Sequence, residues 1–419
     1  MSRYMTAEIQ NRLSREIDRR MALAREWDDL VGQVRGLKGF EDFLRPPPLD
    51  SLLGAAARGP VVIVNVSQWR CDALIITTGG VQVVRLPDLT AEEITRRTAS
   101  FLAVLQDSLS ADPGLSFAAA LEARARSLRE RDGVLRSTTE WLWDAVAEPV
   151  LAALGISRAD PAGPQARVWW CPTGLLALLP LHGAGYHQAG DGRTVLDRVI
   201  SSYTPTLRAL RDAMKGRTDV SPGAGRLLFV GVPEAPDQLP MAEDVAREHD
   251  FLIEHFPGDL TVLSGRDATV AAVQAAMPGH RWIHLSCHGY QDLRDPSAAG
   301  LELSDGILTV TRLSSARYAG DLAFLSACRT AAGGVDLPDE VITLAAALNY
   351  TGYRNVVATL WSVDPAVAAH MTAAVYTAMI TDSGFEPDKS AAALHKAARA
   401  LRDDGRPLDD WLPFTHTGP

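Results

Sequence analysis

The sequence predicts an α/β fold built on a mostly parallel central sheet with helices on its faces. Three observations carry that expectation. Short apolar runs over 60–66, 227–232, 282–289, 322–328 and 355–360 are bounded by Gly and polar residues, as buried strands are. These runs alternate with stretches whose apolar residues recur at helical spacing, the order that yields parallel strands joined by crossover helices. Two of the runs carry a chemically competent side chain near their carboxyl end, His288 and Cys328. In open α/β sheets such strand ends face the crevice where ligands bind.

The chain opens with a helical pattern over 5–36, where Ile9, Leu13, Ile17, Met21 and Leu23 stand at roughly helical spacing among Arg and Glu. Arg45-Pro46-Pro47-Pro48 ends that pattern, because proline removes a donor and forces its predecessor extended. Residues 1–57 are therefore expected to form an N-terminal helical segment. From Gly59 the character changes. A strand over 60–66 precedes a hairpin of 72–78 and 81–86 about Gly79-Gly80. Helices about 91–108 and 116–155 follow, then a strand over 168–171 and an apolar stretch over 175–181. Residues 58–214 read as one α/β subdomain, closed by a Gly/Ser/Pro-rich linker from Lys215 to Gly225.

A second unit, 215–419, begins with the strand over 227–232. A helix about 239–256, a strand over 261–263 and a helix over 269–277 lead to the histidine run. A hairpin over 301–310 about Asp305-Gly306 and a helix over 311–318 lead to the cysteine run. A helix over 339–350 stops at Gly352, and the strand over 355–360 is followed by alanine-rich helices about 366–381 and 389–403. No internal repeat is present, so no solenoid is encoded.

Composition narrows the function classes. The 419 residues give room for two or three domains, and 47% hydrophobic with 22% charged residues is the balance of an ordinary globular protein. A net charge of −10 argues against nucleic acid or an anionic membrane as the main partner. Four scattered cysteines, Cys71, Cys171, Cys287 and Cys328, without a CxxC pair argue for a reducing cytoplasm. The first twenty residues lack the apolar core of a signal peptide, and no apolar run has the length of a membrane span. Neither a phosphate-binding GxxxxGK[ST] nor a Rossmann glycine fingerprint occurs, so no cofactor is expected.

The chemistry centres on Cys328. A thiolate is a strong nucleophile, and an adjacent imidazole, here His288, can raise its population at neutral pH. The backbone amides of Gly289 and Cys328 are the candidates for an oxyanion hole. The alternative from spacing is that Cys328 is an inert core thiol, since free cysteine is often buried. Cys287 and His288 are consecutive, so on a strand they face opposite sides, which assigns Cys287 to core packing. His284 reads as a hydrogen-bonded core histidine. A zinc site built on His284, Cys287, His288 and Cys328 is the competing chemistry, opposed by the same divergence and by the lack of paired ligand spacing. Asp364, at the end of the strand over 355–360, could line a pocket for a basic side chain. Equally, Asp364-Pro365 suits a helix N-cap with proline at the first helical position.

At this point the residues resemble the CHAT family, caspase-like peptidases often joined to TPR arrays. The carrying motifs are His-Leu-Ser-Cys-His-Gly (284–289), Leu-Ser-Ala-Cys-Arg-Thr (325–330) and Ala-Thr-Leu-Trp-Ser-Val-Asp (358–364), over a likeness spanning about 145–419. Supporting stretches include Trp170 to Leu175, Ser202 to Leu207, and Trp411-Leu412-Pro413-Phe414. The resemblance implies a caspase-like three-layer fold and a catalytic dyad of His288 and Cys328. It further implies that 58–214 is a degenerate caspase-like subdomain beside the active one, 215–419. Trp361 and Asp364 fall where substrate is bound, and Asp364 where separase-like enzymes recognise a basic residue. Pro365 stands where a second acidic residue is common, which leaves that preference open. The expected activity is cleavage of a protein substrate, latent until a regulatory or sensor partner, TPR-containing in kind, acts on it. The alternative is a non-catalytic caspase-like interaction module.

Overall fold

The computed structural model describes residues 2–41, 43–106, 116–156, 165–215, 225–234, 241–290, 295, 297–326 and 343–419. The chain divides into two compact units, Met1–Leu52 and Leu53–Pro419. The first holds the long helix α1 (Ser2–Arg35), and the short α2 (Leu49–Leu53) lies at the boundary.

The second unit is organised by one sheet. Its first part supplies β1 (Val61–Asn65), β2 (Asp72–Thr77), β3 (Gly80–Arg85), β4 (Ala166–Pro172) and β5 (Val199–Tyr203). Helices α3 (Ala91–Gln106), α4 (Phe117–Leu142), α5 (Glu148–Ala153), α6 (Val195–Arg198) and α7 (Leu207–Met214) belong to the same stretch. Then come β6 (Leu227–Gly231), α8 (Ala242–His255), β7 (Leu260–Ser264), α9 (Val270–Ala276) and β8 (Trp282–Ser286). A three-stranded side sheet of β9 (Gly289–Tyr290), β10 (Gly300–Leu303) and β11 (Gly306–Thr309) follows, with α10 (Val310–Ser314). The cysteine run becomes β12 (Leu322–Ser326). After it come α11 (Leu344–Thr351), β13 (Asn355–Thr359) and α12 (Pro365–Met379). The short hairpin β14 (Ile380–Thr381) and β15 (Gly384–Phe385), then α13 (Ser390–Asp403), α14 (Leu408–Trp411) and β16 (Phe414–Thr417), complete the unit.

The main sheet has eleven strands in the order β3-β2-β1-β4-β5-β16-β13-β12-β8-β6-β7. The β1–β2, β2–β3 and β13–β16 pairs are antiparallel, and the remaining pairs are parallel. Most expected elements are present, and several unexpected ones join them. β5 and β16 were not expected as strands, yet together they join β4 to β13 in the middle of the sheet. The histidine run also ends earlier than expected, at Ser286, and Gly289–Tyr290 turns away to pair with β10.

Alternation along the strands divides the core in two. On β8, Trp282 joins the cluster on one face while Ile283 and Leu285, with Cys287 just past the strand end, join the other. On β12, Leu322 and Phe324 lie on the first face, and Ala323 and Leu325 on the second. Period-two alternation of a strand buried on both faces produces this division. The flanking helices start where hydroxyls can receive their first amides: Thr206, Thr269, Thr309 and Thr343 cap α7, α9, α10 and α11. α11 ends at Gly352, whose φ of 123° is open to glycine and strained for other residues.

Candidate active site

β8 and β12 are direct neighbours and run parallel, with His284 opposite Phe324, Leu285 opposite Leu325, and Ser286 opposite Ser326. Their starts are tied by the Arg281–Asp321 ion pair and by the Asp321 amide, which donates to the Arg281 carbonyl at 2.7 Å. His288 lies two residues beyond Ser286, and Cys328 two residues beyond Ser326. His288 is buried, 9% exposed, and its carbonyl accepts from the Glu302 amide at 2.9 Å. Gly289 lies opposite Leu301 in the side sheet. Cys328, with its amide, lies outside the described residues.

The other sulfurs are in cores. Cys287 is 1% exposed within the apolar cluster on the far face. Burial pushes the Cys171 thiol up to about 12, which leaves it protonated and unreactive at neutral pH. Among the described residues no group of three or more His, Cys, Asp or Glu is placed to hold a metal ion.

Under the strand ends sits a polar cluster that the sequence reading did not anticipate. Glu248 of α8 is 3% exposed, and its two carboxylate oxygens are met from four sides. Ser286 Oγ donates to Oε2 at 2.5 Å, and His284 Nε2 lies 3.4 Å from the same oxygen. Ser326 Oγ and Thr372 Oγ1 donate to Oε1 at 2.6 and 2.7 Å. An ionised carboxylate offers about four acceptor positions, so the group is saturated. Burial works to raise the Glu248 pKa. The facing His284 and the donors from His284, Ser286 and Ser326 outweigh it and hold the carboxyl below its ordinary range. His284 is fully buried, stacked between Phe229 and Phe324, with Nδ1 3.2 Å from the Tyr376 hydroxyl. Both ring nitrogens thus have a hydrogen-bonding neighbour, the Tyr376 hydroxyl on one side and the Glu248 carboxylate on the other. Its role is that of a hydrogen-bonded core histidine.

A small cavity of about 30 Å³ opens at these strand ends. It is lined by Ser286, Cys287, Ser326 and Thr359 near the strand ends, by Asp244 and Glu248 of α8, and by Val363, Pro365 and Ala368. Burial pushes the Asp244 carboxyl above its ordinary range, against the opposing pull of Arg247. Asp364 stands between two lining residues, and its carboxylate accepts the Ala366 amide at 2.9 Å as the N-cap of α12. Trp361 is 1% exposed. Its ring meets Phe101 edge-on, and its indole N–H donates to Asp409 at 2.7 Å.

The clustered serines left a trace in the sequence. Leu285-Ser286-Cys287-His288 and Leu325-Ser326-Ala327-Cys328 share a Leu-Ser pair at the same distance before the reactive residue. Glu248 left none, since it is one acidic residue among several on an amphipathic helix.

Separase of Saccharomyces cerevisiae, in its complex with securin, superposes with a TM-score of 0.60 over 88% of this chain at 9% identity. The chain covers about 30% of that separase chain. The complex of pro- and mature domains of RgpB from Porphyromonas gingivalis matches over 65% of this chain and 69% of its own, at 12% identity and a TM-score of 0.44. None of the curated proteins matches. The separase likeness identifies the mixed eleven-stranded sheet with its flanking helices as a caspase-like fold. The CHAT domain model matches residues 136–419, about two thirds of the sequence, and the chain belongs to the CHAT family of caspase-like proteins.

Proposed function

We propose that the chain is a cysteine endopeptidase acting on a protein substrate through His288 and Cys328. The observation that carries this reading is the strand register. Ser286 and Ser326 face each other at the ends of adjacent parallel strands, and the two reactive residues follow them at equal distance. In this reading the Cys328 sulfur attacks the scissile carbonyl, and His288 takes the thiol proton and returns it to the leaving amine. The amides of Gly289 and Cys328 hold the oxyanion, where one donor is worth about 3 kcal/mol. Water then attacks the thioester, releasing the acid and restoring the thiol.

Residues 215–419 are the active subdomain in this reading, and 58–214 a degenerate caspase-like partner that shares its sheet. Asp364 binds substrate near Asp244, which lines the cavity. Trp361, packed beneath, holds the backbone that presents it. In this reading the enzyme is latent until a regulatory protein acts on it, and the small volume at the strand ends, about 30 Å³, supports that. The same small cavity suits the second reading, a non-catalytic interaction module.

Labelling discriminates between the two. In a dyad, Cys328 alkylates faster at neutral pH than Cys71, Cys171 and Cys287, because thiolate population sets the rate. Proteome-wide mapping of new N-termini, comparing wild type with Cys328→Ala, identifies cleavage. Cys328→Ala and His288→Ala abolish it while leaving the thermal unfolding transition in place, and Cys287→Ala retains it. Equal loss from Cys287→Ala would assign the chemistry to the wrong sulfur.

A further inference from the structure

We propose that Glu248 is a positioning residue whose saturated carboxylate clamps the carboxyl ends of β8 and β12 together and so sets the separation of His288 and Cys328. The proposal rests on the peptidase reading above. Three facts of geometry and one of energetics carry it. Ser286 and Ser326 are the last residues of their strands, and both donate to the same carboxylate, one to each oxygen. The carboxylate comes from α8 and is also held by Thr372 of α12, so two helices and two strands meet on one side chain. The first hydroxyl is two residues before His288 and the second two residues before Cys328. A buried ionised group costs much to keep, and hydrophobic residues of similar size often serve stability as well or better.

A group of this cost placed between two reactive strand ends has a geometric use. The Arg281–Asp321 pair fixes the spacing at the strand starts, and Glu248 fixes it at the ends. A reacting pair displaced by about 1 Å loses on the order of a hundredfold in rate, so small slack at Ser286 or Ser326 has a large kinetic effect.

Glu248→Gln keeps the size of the side chain but replaces one acceptor oxygen with an NH2 donor. Ser326→Ala keeps the charge and removes a single tie. The expected result for both, in the full-length protein, is a kcat lowered by about tenfold to a hundredfold with KM within about twofold. Alkylation of Cys328, followed peptide by peptide in a mass spectrometer, should slow at neutral pH, with its pH midpoint moved toward that of an ordinary thiol. A purely structural role predicts a lower melting temperature with kcat per folded molecule and the alkylation midpoint unchanged. That result overturns the proposal. Should Glu248→Gln fail to fold, Ser326→Ala decides alone. If wild-type Cys328 already labels like an ordinary thiol, the peptidase reading itself falls and takes the clamp with it. If wild type labels fast and both variants match it, the clamp alone falls.

Discussion

Acid should unfold this protein at a pH where exposed carboxylates are still ionised, because its core holds histidines that must stay neutral. His182 is part-buried, with Nδ1 2.9 Å from the Tyr203 hydroxyl and Nε2 2.9 Å from the Leu412 carbonyl. Burial lowers its pKa from 6.5 to about 4, with the Leu412 carbonyl opposing. His395 is lowered to about 4 by burial and by the nearby Arg399 and Arg402. A group whose folded pKa lies below its unfolded value binds more protons when unfolded. Its contribution is intact above about pH 6.5 and is lost as pH falls toward about 4. From about pH 7 to about pH 5 the loss is about 2 kcal/mol for each histidine, or about 4 kcal/mol together. Against a typical total of about 5–15 kcal/mol that is a large share. His416, buried and lowered well below its ordinary value, and the lowered Glu248 carboxyl add loss in the same direction.

Urea unfolding at the two pH values measures this directly. His182→Gln keeps groups able to bond Tyr203 and Leu412 but cannot titrate, so it should lose about 2 kcal/mol less than wild type on acidification. Parallel pH dependence in wild type and variant would refute the assignment.

Two further expectations follow from single positions. Gly352→Ala forces a Cβ to within 2.0 Å of the Tyr318 carbonyl oxygen at a φ of 123°, so it should cost about 3 kcal/mol or more in denaturant unfolding. Asp364→Ala removes the α12 cap and should cost about 1 kcal/mol, whereas Asp364→Asn keeps a capping oxygen. If Asp364 also binds substrate, Asp364→Asn lowers kcat/KM about tenfold for peptides with a basic residue before the scissile bond and spares neutral ones. Equal kcat/KM in Asp364→Asn and wild type would leave Asp364 with its cap alone.

The strands that frame the candidate site were legible because each buries both faces and so reads as an unbroken apolar run: 282–286, 322–326 and 355–359 stand out from the polar loops around them. The hairpin about Asp305-Gly306 and the stop at Gly352 were legible for another local reason, since each depends on backbone conformations that glycine alone adopts cheaply. Their chemistry is short in range and is written in consecutive residues.

β16 shows where that legibility ends. Phe414-Thr415-His416-Thr417 is polar, yet it lies buried between β13 and β5, because His416 finds Ser202, Ser390 and Asn355 from three distant parts of the chain. Glu248 is the same case: its partners come from β8, β12 and α12, up to 124 residues away. Patterning along the sequence therefore determined which segments are strands and which residues end them. Only the folded chain decided which polar groups satisfy one another in the interior, because the cost of burying a charge or an imidazole is met by partners that no local spacing reveals.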